Sequence, residues 1–321
     1  MGTMNHNILI TSAGKRVVLV KAFKETLSRF FPEAKVYTTD MNPKMAPAGY
    51  VSDGCIPVPR VTSEDYIDIL QDICLEHNIG LVVPTIDTEL AILAANKARF
   101  EQLGIHLGVS DYDFIMMCRD KRNTGAFFES KGIRVPEKID KYNPRFPMFA
   151  KPYDGSLSSN LHYIKCAEEL TVDILEDPKL IFMEYIDKSI YQEYTVDMYF
   201  GQDHQLKMAV PRERIEIRAG EINKGRTVKA FLEPYIHEHL SHINGCEGCI
   251  CGQFFYNKEN NDIVGIEINP RFGGGYPQSY AAGANYPEFF ILEYYLNQHI
   301  EYSDDWKDNL LMLRYDDAIF V

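Results

Sequence analysis

QFFYNKENNDIVGIEINPR, residues 253–271, decides how the rest of the chain is read. Two apolar runs flank the polar stretch 257–262, so the segment predicts a hairpin. A register centred at residue 260 sets Gln253 opposite Glu267, with both side chains on one face. Asn269, two positions beyond Glu267, shares that face. Three oxygen-bearing side chains, one of them a carboxylate, converge beside the Pro270-Arg271 exit. Such a set suits Mg²⁺, with Mn²⁺ as the alternative ion, when phosphate oxygens complete the shell. The same residues also fit a solvated polar face with Arg271 paired to Glu267, and the hairpin alone leaves both readings open. Gly273, Gly274 and Gly275 follow, a permissive backbone suited to close approach by a ligand.

Working outward, residues 7–12, 35–40 and 80–84 read as short strands, with helical patterns over 17–30 and 65–77 between them. Strands alternating with helices predict parallel βαβ units with right-handed crossovers, ending near Gly108. Residues 111–132 read as one long helix capped by Ser110 or Asp111. Short strands follow over 146–151, 161–165 and 180–185, with 167–176 helical. From Glu193 the pattern turns antiparallel, with strands at 194–200, 205–211 and 227–231 and a helix over 234–243. A closing helix over 286–297 and a strand over 310–315 complete the chain. The expected fold class is α/β joined to α+β, in units 1–110, 111–186 and 187–321.

Lys and Arg total 33 against 46 Asp and Glu, a net charge of -13, which argues against nucleic acid or an anionic membrane as the main partner. No run approaches the roughly 18 apolar residues of a membrane span. The apolar run 8–10 is too short for a signal peptide, and residues 1–3, before Met4, stand outside the fold argument. Seven cysteines, an odd count, suit reduced thiols, so the expected location is the cytoplasm. Cys246, Cys249 and Cys251 follow His237, His239 and His242, but no partner CxxC completes a zinc set; buried core thiols are the favoured reading.

Lys151 ends an apolar strand and precedes a loop of glycine and serines, including Ser156. A lysine there can pair with phosphate charge, although a plain surface turn uses the same residues. The order is not that of a Walker A loop. Residues 181–186 form an apolar strand that breaks into a linker, where backbone groups suit an adenine edge. Glu193 then opens the next strand and is suited to accept ribose hydroxyls.

In this order the pieces resemble the ATP-grasp superfamily, and within it the branch around the carbamoyl-phosphate synthase large chain. Asp120-Lys121, Phe149-Ala150-Lys151-Pro152 with Gly155-Ser156, Met183-Glu184-Tyr185-Ile186, Glu193 to Asp197, and Gln253 with Glu267 to Arg271 carry the resemblance. It covers about residues 111–315, and the N-terminal unit resembles the Rossmann-like domain that usually precedes an ATP-grasp domain of two lobes. Gln253 stands where many relatives carry aspartate, and the phosphate loop holds less glycine than usual. Only one such module is present, whereas carbamoyl-phosphate synthesis uses two.

The resemblance implies an ADP-forming ligase that joins a small-molecule carboxylate to an amine or ammonia through an acyl phosphate. It implies ATP bound by Lys121, Lys151, Ser156, Glu184, Tyr185, Ile186 and Glu193, and Mg²⁺ held by Gln253, Glu267 and Asn269. Arg271 and Lys151 would serve the reacting phosphate. At strand spacing Arg212, Arg214 and Arg218 share one face, and Arg214 and Arg218 are candidates to clamp the acid; an exposed edge strand is the competing reading. The loop 11–16 carries one glycine where a nicotinamide fingerprint needs three. By the resemblance it lines the acceptor side together with residues 85–89, where Asp87 fits an amine or a helix cap. A catalytically inactive or regulatory ATP-binding protein is the alternative function, and a homodimer the default assembly.

Overall fold

Apolar segments that alternate with amphipathic helices open the chain, and in the computed structural model they form one parallel sheet. Residues 5–154, 160–218 and 220–321 are described. The strands are β1 (Asn7–Thr11), β2 (Val36–Asp40), β3 (Cys55–Pro57), β4 (Ile79–Pro84) and β5 (His106–Leu107), in the order β3-β2-β1-β4-β5. The chain builds outward from β1, then returns to add β4 and β5 on the other side. The direction of winding thus reverses between β1 and β4.

Helices α1 (Val17–Phe30), α2 (Tyr66–Glu76), α3 (Asp87–Ala95) and α4 (Lys97–Glu101) accompany the sheet. Alternation along the central strands assigns each face a partner. Ile8, Ile10, Leu81 and Val83 pack with Val20 and Phe23 of α1, whereas Leu9 and Val82 pack with Leu70 of α2 and Leu90 of α3. Every residue of β4 is buried, as expected for a strand covered on both sides.

The expected single helix over 111–132 is two, α5 (Tyr112–Arg119) and α6 (Lys121–Ser130). Asp120 breaks it: its backbone is extended, and its carboxylate accepts the Arg122 N–H at 2.9 Å, capping α6. A small antiparallel sheet follows, β6 (Met148–Pro152), β7 (His162–Ile164), α7 (Val172–Glu176) and β8 (Leu180–Glu184), in the order β7-β6-β8.

The remaining elements are β9 (Tyr191–Phe200), β10 (Leu206–Arg218), β11 (Glu221–Thr227), α8 (Leu232–Leu240), β12 (Gly248–Asn257), β13 (Ile263–Asn269), α9 (Tyr276–Ala281), α10 (Tyr286–Tyr294) and β14 (Leu311–Leu313). Their strands form one sheet, β13-β12-β9-β10-β11-β14. The strand expected over 227–231 instead ends at Thr227. β10 runs on to Arg218, and β11 returns with a single large apolar residue, Ile222, too few to show alternation. Phe290 and Ile291 of α10 join the core of β1 and α1, so the two large sheets share apolar packing. Among the described residues no helix is long and apolar enough to cross a membrane.

Candidate active site

On β12 and β13 the ladder pairs Gln253 with Glu267 and Cys251 with Asn269; the register slips just after Gln253. Asn269 Nδ2 donates to Glu267 Oε1 at 3.1 Å. Helix α6 lies directly on β13 because residue 265 is glycine: a Cβ there would sit 2.8 Å from the Phe128 ring. That approach brings Lys121, the first residue of α6, to 3.8 Å from the Glu267 carboxylate. The Lys121 N–H donates to Tyr153 O at 2.8 Å, tying α6 to the end of β6, the strand that carries Lys151.

Lys151 is 8% exposed. Burial lowers its pKa to about 8; Glu267 opposes the shift and Lys121 adds to it. Two cations and one carboxylate therefore meet where an arriving polyanion would relieve both burial and repulsion. At pH 8.5 Lys151 is mostly neutral, and a bound polyphosphate restores its charge, so nucleotide binding takes up a proton. Affinity should weaken by up to about tenfold per pH unit above 8. Calorimetry in buffers of different ionisation enthalpy reads that proton; the same count at pH 7 and pH 9 would exclude Lys151 as its source.

Between α6, β8 and β13 lies a cavity of about 270 Å³, lined by Val135, Ile139, Phe182, Met183 and Ile266 together with both lysines. Apolar walls beside paired ammonium groups suit a flat base with a charged tail. At the end of β8 the Glu184 N–H donates to Glu137 O, and Tyr185 stacks on Tyr163 with centroids 4.1 Å apart. Ile186 is buried. The Glu184 carboxylate accepts from Arg134 Nη2 at 2.6 and 2.8 Å, so its side chain is engaged by protein. Arg134 Nη1 is also 3.2 Å from Asp262, which accepts from Tyr191 OH at 2.7 Å. Arg134 thus joins the end of β8 to the β12–β13 turn. The sequence reading passed it over, since its partners lie far along the chain and no local motif marks it. Ser156, in the segment 155–159, lies outside the described residues.

The three arginines of β10 are each taken up by a different carboxylate. Arg212 is 1% exposed and bonded to Asp197 through Nε at 2.8 Å and Nη2 at 3.1 Å. Arg214 pairs with Glu193, which also meets Lys188 at 3.4 Å; the expected ribose acceptor and acid clamp close on each other. Arg218 is exposed beside Asp316. The register runs unbroken from Arg212 to Arg214, so these two share a face, and the irregularity around Glu216 lies between them and Arg218.

Arg271 points not at Glu267 but at Asp87 of α3, with Nη2 at 2.9 Å from the carboxylate. Burial disfavours its charge, and Asp87, Cys251 and Glu267 together outweigh that and hold the pKa above its ordinary value. The glycine run partly serves packing: a Cβ on Gly275 would lie 2.1 Å from Arg212 Nη1. Cys246, Cys249 and Cys251 are buried free thiols. Among the described residues no cluster of three His, Cys, Asp or Glu side chains could hold a metal. An ion at Glu267 would therefore depend on amide and phosphate oxygens.

This arrangement sets the cavity between a small antiparallel sheet and a larger one. A family described as the PylC-like N-terminal domain matches residues 8–107. A second, described as ATP-grasp in the biosynthetic pathway with Ter operon, matches residues 176–315. Residues 8–107 thus carry a PylC-like N-terminal domain and residues 176–315 an ATP-grasp domain. The biotin carboxylase domain of Hydrogenobacter thermophilus 2-oxoglutarate carboxylase, solved with MgADP and bicarbonate, has a TM-score of 0.73 at 13% identity, covering 95% of this chain and 73% of that one. N5-carboxyaminoimidazole synthetase from Staphylococcus aureus, complexed with ADP, gives 0.68 at 19% identity over 91% and 79%. L-amino acid ligase from Bacillus licheniformis gives 0.67 at 16% over 91% and 74%. No curated protein matches this chain by sequence.

Proposed function

We propose that this protein is an ATP-dependent, ADP-forming ligase that joins a small carboxylic acid to an amine or ammonia through an acyl phosphate. The observation that carries the proposal is the convergence of Lys121, Lys151 and Glu267, from three separate elements, at the cavity between the sheets. The complexes with ADP among proteins of the same fold support the choice of nucleotide.

The donor set fits Mg²⁺ because Glu267 supplies a hard carboxylate, with the Asn269 and Gln253 amides beside it. A magnesium ion held by these residues would supply charge neutralisation to the phosphates. Lys151 and Lys121, which converge on Glu267 from β6 and α6, neutralise phosphate, and Arg271, held by Asp87, faces charge that develops at the acyl group. Such catalysis is mainly positioning and electrostatic stabilisation. Glu193 and Arg214 act as a pair, with Glu193 free to reach a ribose only if Arg214 shifts. Arg218, exposed beside Asp316, takes no part in this reading.

Calorimetric titration of the full chain with Mg-ATP, beside ADP release in the presence of acids and hydroxylamine, tests the proposal. Wild type should bind and Lys151→Ala should bind at least about tenfold more weakly, as expected when a charge-assisted contact is lost. If wild type does not bind Mg-ATP, the ligase reading fails. If it binds but releases no ADP with any acid, the chain is a nucleotide-binding protein without turnover.

A further inference from the structure

Arg16 sits at the reversal of winding between β1 and β4, the place where open α/β sheets gather ligands. It is the residue before α1, and that helix has no side-chain cap and no acidic residue in its first turn. The guanidinium makes one long hydrogen bond, Nη2 to Thr85 O at 3.4 Å. Among the described residues no carboxylate lies within ion-pair distance of it.

Its charged surroundings are already engaged with one another. Asp87 holds Arg271 at 2.9 Å. Glu221 is shared by Lys15 at 3.2 Å and Arg314 at 2.8 Å. Glu89, 1% exposed, accepts hydroxyls from Thr11, Ser12 and Tyr66. Burial disfavours the charge on Arg16 first, and the neighbouring Arg271 adds to that, against Glu221 and Asp87. A planar donor fork kept in such a place lacks the carboxylate that guanidinium groups ordinarily meet when half-buried.

We infer that Arg16 recognises a second anionic group of the acid substrate, separate from the carboxylate that reacts near Glu267 and Arg271. The acid is then a dianion, a dicarboxylate or a phosphorylated acid. This rests on the ligase reading for the identity of the reacting end. The local surplus of Arg16 stands independently of it, in a protein whose net charge is -13.

The test titrates the full chain, with and without Mg²⁺ and a non-hydrolysable ATP analogue, using pairs that differ by the second anionic group. Succinate against succinamate and glutarate against glutaramate probe dicarboxylates; O-phosphoserine against serine probes a phosphorylated acid. At least one dianion should bind roughly tenfold or more tightly than its partner. Arg16→Gln should remove that preference and leave the nucleotide affinity unchanged. Arg16→Lys, which keeps the charge but not the fork, should retain part of it. The pair that discriminates names the source of the second charge. Equal affinities in every pair, or a preference that survives Arg16→Gln, would overturn the inference. Loss of nucleotide binding by wild type would instead strike the ligase reading, because the dianion preference is also read without nucleotide.

Discussion

Glu267→Gln should lower ADP release by roughly two to three orders of magnitude while leaving the fold in place. Glu267 is the one formally charged group of the Gln253, Glu267 and Asn269 set, and glutamine preserves its shape without its charge. On the proposed reading, a magnesium ion there would lose its strongest protein ligand. Lys121, at 3.8 Å, loses its counter-charge at the same time. Because Glu267 raises the Lys151 pKa against burial, the substitution should also move that pKa further down from about 8. Proton uptake on nucleotide binding would then begin at lower pH. A Mg²⁺ titration of ADP release, with calorimetry beside it, distinguishes the outcomes. Unchanged magnesium dependence would remove Glu267 from the metal site.

Asp197→Ala should cost about 3–5 kcal/mol of stability, the penalty of leaving one member of a buried ion pair alone. Asp197 is fully buried and accepts two bonds from Arg212 and one from Ser279 Oγ at 2.6 Å. Arg212 Nη1 already lacks a partner among the described residues, so no nearby group stands ready to replace the carboxylate. Adding Arg212→Met to the same chain should recover part of the loss by removing the stranded charge. Urea midpoints of wild type, single and double variants provide the check. A double variant no more stable than Asp197→Ala would show that the packing of Ser279 and Arg212, rather than charge, governs the site.

Much of this architecture is legible from local pattern. The hairpin of β12 and β13 follows from the polar turn between two apolar runs, and the Gln253–Glu267 pairing holds across a register slip beside Phe254 that the sequence does not mark. The parallel sheet follows from strands that alternate with helices. Patterns failed where a side chain competes with the backbone, as at Asp120, whose carboxylate starts a new helix where periodicity ran on. They failed again in β10, where Arg212, Arg214 and Arg218 each close on a different carboxylate rather than converging on one ligand. The site was legible as residue types but not as partners. Neither the Arg134 bridge between Glu184 and Asp262 nor the closure of Glu193 on Arg214 could be read from spacing. Such pairings depend on which loops meet in space, and sequence distance carries little of that information.

The Arg271–Asp87 contact has a consequence for anyone who would recombine modules of this fold. One partner comes from the segment matched as the PylC-like domain and the other from the segment matched as ATP-grasp. A chimera that imports a foreign front half inherits whatever residue follows its fourth strand. Without an acid there, the arginine loses this counter-charge, and a graft that folds well can still be mute.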